Sequence, residues 1–135
     1  MITIANHTCY QVSQKLVRTV LNKSCRALKI KATELSVAFV TSAEISKLNQ
    51  TYRRQARPTD VLSFAYGYDR KELNGEIIIC YQLARQNARE YHHSVKQEIS
   101  RLLIHSLLHL IGYDHRKAGA AKKMEALENK IINLW

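Results

Sequence analysis

Acidic residues are scarce in this chain. Only 11 of its 135 residues are Asp or Glu, against 21 Lys and Arg, so the formal charge is +10 and the pI is near 9.7. That imbalance favours polyanionic partners, nucleic acid first, although a solvated basic surface has the same composition. Long apolar runs are also missing, which excludes a membrane-spanning helix. The stretch Met1 to Tyr10 lacks the charged start and apolar core of a secretory signal, so a cytoplasmic protein without membrane contact is expected. Cysteines number three, Cys9, Cys25 and Cys80, scattered and without a C-x-x-C spacing. Neither a disulfide framework nor a thiolate metal site is indicated, and free buried thiols in a reducing compartment are expected. Proline occurs once, at Pro58. No internal repeat, linker or low-complexity segment breaks the chain, so a single domain over residues 1–135 is expected.

What is present suffices for a core, since hydrophobic residues make up 46% of the chain. Ile2 to Ala5 reads as a first strand. Val12, Leu16, Val20 or Leu21, Cys25 and Leu28 trace one face of a helix. Leu35, Val37 and Phe39 alternate as a second strand. Thr41 with Glu44 three residues on is a capping signature opening a short helix, whose apolar positions are Ile45, Leu48 and Tyr52. A basic loop from Arg53 to Arg57 then leads to Pro58, which favours an extended exit. Val61 to Tyr66 is a strand, Gly67 to Asn74 a polar connection, and Gly75 opens a β-branched strand ending at Cys80. That connection is too short for a parallel crossover, so the two strands are expected as antiparallel hairpin partners. Helices follow over Tyr81 to Tyr91, from Ser94 (capped with Gln97) and over Ala118 to Leu134, where Met124, Leu127 and Ile131 face inward. Ile99, Leu102, Leu103, Leu107 and Leu110 are the core positions of the middle one. The expected fold is α+β: a small mixed four-stranded sheet packed by about five helices.

The chemistry concentrates in His105 to His115. His105 and His109 are four apart and share one helix face. Gly112 can adopt the left-handed conformation that ends a helix. His115 follows where a reversed chain can bring it beside the first two. Three imidazoles with a fourth position open for water match a catalytic zinc site, and one zinc ion is expected on His105, His109 and His115. The spacing is that of the metzincin peptidases, H-E-x-x-H-x-x-G-x-x-H. Ser106 stands where their glutamate base would be, and a hydroxyl is too weak a base for that role. Peptide hydrolysis by that route is therefore not expected. Glu98, one heptad before His105, is read as an ordinary surface carboxylate, with orientation of a ligand from behind as the alternative. Asp114 is read as a turn residue, with a weak base as the alternative. His92 and His93 are read as solvent-facing. Arg53, in a basic loop before a strand, suits phosphate recognition through its fork of donors.

Four segments carry a family resemblance: Leu48 to Arg53, Pro58 to Phe64, Gly75 to Ile77 and His105 to His115. Through them the chain resembles the YbeY family of bacterial endoribonucleases, also called rRNA maturation factors. The resemblance implies a fold like that of metal-dependent hydrolases, built around a central metal-binding helix. It implies a zinc-dependent, single-strand-specific endoribonuclease acting in ribosomal RNA maturation and ribosome quality control. Single-stranded RNA, ribosomal RNA and ribosomal particles are the implied partners, and Arg53 the implied functional arginine. Two positions depart from the family pattern: Ser106 stands where glycine is usual, and Ala56 where an aspartate is usual. The rival readings are a metal-dependent hydrolase of another substrate, and a ribosome-assembly RNA-binding factor whose metal is structural.

Overall fold

The computed structural model describes residues 1–55, 57, 59–113 and 119–132. Its elements are β1 (Ile2–Asn6), α1 (Gln14–Leu28), β2 (Lys31–Val40), α2 (Ser42–Arg53), β3 (Val61–Asp69), β4 (Glu72–Cys80), α3 (Tyr81–Glu90), α4 (Val95–Leu110) and α5 (Ala120–Ile132). The α+β architecture of one four-stranded mixed sheet and five helices agrees with the expectation. Strand order is β1-β2-β4-β3. β1 and β4 flank β2 in parallel, and β3 pairs antiparallel with β4, so the expected hairpin is present.

Both faces of β4 are covered, which explains its apolar run. Side chains alternate across a strand. Ile77 and Ile79 therefore join the main core with Leu21, Phe39 and Leu107, while Ile78 joins a second cluster with Ile45 and Leu62 beneath α2. Helix α4 lies at the centre of the main core, contacting α1, α3, α5, β3 and β4. Leu102, Leu103, Ile104, Leu107 and Leu108 are all buried. Gly75 sits inside β4 rather than at its start. A Cβ there would meet Leu110 Cδ1 at 3.1 Å, so the missing side chain lets α4 lie close on the sheet.

The caps follow the sequence. Ser94 and Gln97 form a complete capping box at α4, with Gln97 N–H donating to Ser94 Oγ at 3.1 Å and Ser94 N–H to Gln97 Oε1 at 2.9 Å. Thr41 Oγ1 accepts from Glu44 N–H at 3.2 Å. At the other end of α4, Gly112 takes φ +108°, with Gly112 N–H donating to His109 O and Tyr113 N–H to Leu108 O. This is a Schellman ending, as Gly112 implied.

Four expectations are corrected. β2 starts at Lys31, because Lys31 and Ala32 already pair with β4. Most of Gly67 to Asn74 is strand, not connection: the hairpin closes on Arg70 and Lys71, both left-handed at φ 52° and 63°. A tight turn with two positive φ values usually carries Asn-Gly, so Arg-Lys gave no turn signal. Tyr52 is 63% exposed and packs on Phe64 with ring centroids 5.0 Å apart. The buried positions on that helix are Ile45, as expected, and Asn49, whose Nδ2 donates to Arg57 O at 3.0 Å. Cys9 is exposed, whereas Cys25 and Cys80 are buried, and all three are free.

Candidate active site

Helix α4 supplies the first two side chains. With a spacing of four, the His105 and His109 rings lie edge to face, their centroids 4.7 Å apart. Helix α5 adds Glu128, which the sequence reading missed. Its Oε1 accepts a hydrogen bond from His105 Nδ1 at 2.5 Å, with Glu128 only 13% exposed. A proton on Nδ1 leaves the lone pair on Nε2. A carboxylate behind a histidine in this way fixes the tautomer and ring orientation that metal ligation needs. A histidine held in this way is the kind of donor that a metal such as zinc takes. Glu128 lies 23 residues from His105 in sequence, a separation that carries no helical periodicity.

Arg53 lines the same cavity as these histidines. It is the last residue of α2 rather than a loop residue, because Arg54 takes the left-handed cap at φ 56°. A cavity of about 310 Å³ is lined by Arg53, Thr59, Asp60, Ser63, His105 and His109, among others. The structure thus brings the arginine and two of the three histidines to one chamber. His115 lies outside the described residues, as do Ala56, Pro58 and Asp114. Among the described residues no three His, Cys, Asp or Glu side chains form a metal-holding group.

Ser106 also lines this cavity but is buried, and its Oγ has no hydrogen-bond partner among the described residues. Glu98 is not a surface carboxylate. It is 4% exposed and its Oε1 meets His93 Nε2 at 2.9 Å. His93 accordingly turns inward while His92 stays exposed. Glu98 serves His93 rather than a ligand histidine, because the chain reverses between α3 and α4 and folds His93 back onto the first turn of α4. Burial pushes the Cys25 thiol up to about 11, which makes it a poor metal ligand and nucleophile near neutral pH. Among the described residues no helix is long and apolar enough to cross a membrane.

Comparison with known proteins adds the family. The model of the family described as endoribonuclease YbeY matches residues 3–135. An endoribonuclease YbeY of Aquifex aeolicus is 42% identical over 110 residues, covering 79% of this chain and 73% of the relative. One of Staphylococcus aureus is 39% identical over 112 residues, covering 76% and 72%. Among solved structures, a Thermotoga maritima protein determined in solution aligns with a TM-score of 0.67 at 31% identity, over 100% of this chain and 91% of that one.

Proposed function

The chain belongs to the YbeY family of endoribonucleases, and on that premise we propose that it is a zinc-dependent endoribonuclease that cuts single-stranded RNA during ribosomal RNA maturation and ribosome quality control. The observation that carries this reading is the chamber shared by Arg53, His105 and His109. His105, His109 and His115 are the residues that would hold the ion. Zinc bound there would supply Lewis-acid polarisation of a phosphoryl oxygen. Arg53 holds the phosphate through paired N–H donors and stabilises the charge that develops on its oxygens. Glu128 keeps His105 in the ligating tautomer. Ser106 supplies no base, but RNA carries its own nucleophile in the 2′-hydroxyl. The net charge of +10 draws in the polyanion.

The test is cleavage of single-stranded RNA by purified protein, with and without chelator, comparing wild type, Arg53→Lys and His109→Ala. Lysine keeps the charge but loses the fork, so Arg53→Lys is expected to lower turnover by about 100-fold. Arg70→Lys, at the distant hairpin turn, is expected to change little. Chelation and His109→Ala are expected to abolish cleavage. Full activity in His109→Ala would defeat the reading. RNA binding without cleavage in the zinc-loaded protein would favour an assembly factor with a structural metal. The product ends identify the attacking oxygen: a 2′,3′-cyclic phosphate with a 5′-hydroxyl indicates the 2′-hydroxyl, whereas a 3′-hydroxyl with a 5′-phosphate indicates water.

A further inference from the structure

A second cavity adjoins the Arg53 chamber, and apart from His105 and Glu128 its lining has no part in the reading above. It measures about 420 Å³, within the roughly 300–1,000 Å³ range of small-ligand pockets. Asp60, Val61 and His105 line both cavities, so they share a wall. Its charge runs against that of the molecule. Among the described residues, Asp60, Glu98 and Glu128 face it, against a single arginine, Arg101. A phosphate would meet three carboxylates there, so the occupant beside the scissile phosphate is uncharged.

Its walls have the chemistry of a base site. Tyr91, at the end of α3, is 61% exposed and offers a ring face, while Val61 and Leu102 add apolar surface. Single-stranded RNA presents unstacked bases that settle on such aromatic faces. Three carboxylates and the Asn87 carbonyl make acceptors the larger part of the polar wall, with Arg101 a donor on the same wall. Asn87 Nδ2 donates to Asp60 Oδ2 at 3.2 Å, which leaves the Asn87 carbonyl and the remaining Asp60 lone pairs as acceptors. Glu98 and Glu128 meet His93 and His105 through Oε1. Acceptors of this kind match the exocyclic amino group of a base, as carboxylates do with cytosine N4. The corresponding oxygen of uracil would face like charge.

We propose that this second cavity holds the base of a nucleotide flanking the scissile phosphate, and that Asp60 and Asn87 select adenine, cytosine or guanine over uracil there. The proposal rests on the endoribonuclease reading and deepens it by naming a specificity subsite.

The experiment uses the zinc-loaded protein and a pool of short single-stranded RNAs randomised in sequence, with the cut ends sequenced. Wild type is expected to disfavour uracil about tenfold at one position next to the cut. Asp60→Asn, whose amide both donates and accepts, is expected to admit uracil at that position. Tyr91→Ala changes only an exposed side chain, so it tests the site even if Asp60→Asn folds poorly. It is expected to raise KM about tenfold with kcat within about twofold, whereas Tyr91→Phe keeps the stack and the wild-type KM. Cleavage that depends on Arg53 but shows no base preference, or a preference untouched by both variants, overturns the subsite and spares the endoribonuclease reading. Loss of all Arg53-dependent cleavage in the wild-type comparison overturns that reading and the subsite with it.

Discussion

Glu128 and Ser106 are the two residues whose roles are decided by one atom each. Glu128 holds His105 Nδ1, so its removal should be felt in metal affinity rather than in folding. Glu128→Ala is expected to weaken zinc binding by about 10- to 100-fold. Glu128→Gln, which keeps an acceptor oxygen, should lose less. Competition against a chromophoric chelator measures both, independently of RNA cleavage, and an unchanged affinity in Glu128→Ala would remove the positioning role. Ser106 carries the opposite problem: a buried hydroxyl without a partner among the described residues. Such a group costs about 1–3 kcal/mol, and alanine is also the better helix former. Ser106→Ala should therefore raise stability by about 1 kcal/mol in denaturant unfolding while leaving cleavage intact. A cleavage loss as large as that of His109→Ala would show that the hydroxyl takes part in the chemistry.

At the level of elements, local signals governed the helices and failed at one hairpin. Ser94–Gln97, Thr41–Glu44 and Gly112 announced their caps because cap geometry is fixed within a few residues. The β3–β4 turn gave no such signal. Arg70 and Lys71 occupy left-handed conformations that neither residue favours, held there by the paired strands on both sides and by Lys31 N–H donating to Lys71 O at 2.8 Å. A left-handed residue with a Cβ costs about 1–2 kcal/mol. Replacing the pair by Asn-Gly should therefore raise the thermal midpoint by several degrees, an amount consistent with about 1–2 kcal/mol in a domain of this size. A lower midpoint would mean that the Arg70 and Lys71 side chains contribute contacts outweighing that strain.

For the molecule as a whole, the charge of +10 is the property that reaches furthest. RNA binding should then be dominated by phosphate contacts and released counterions. For single strands the slope of log affinity against log salt is about −0.7 per phosphate neutralised. With about three phosphates engaged, affinity for a 2′-deoxy strand should fall roughly 20-fold between 50 and 200 mM salt. Fluorescence anisotropy at several salt concentrations measures this, and a flat profile would assign recognition to the bases alone. The acidic second cavity is the exception within this basic field, which is why it selects a neutral group.

By itself the sequence determined everything that repeats at short range. The i, i+4 spacing of His105 and His109, the stop at Gly112, the caps, the alternating strands and the basic balance all follow from backbone geometry and side-chain type over a few residues. The four YbeY-like segments added the family through the same residues. Only the tertiary structure decided which distant groups meet. Glu128 reaches His105 because α5 packs against α4, and Arg53 enters the histidine chamber because α2 ends where β3 begins beneath α4. Glu98 is spent on His93 because the α3–α4 turn folds one onto the other. These meetings depend on how whole elements pack around Leu103, Leu107 and Ile79, and no local period encodes such packing.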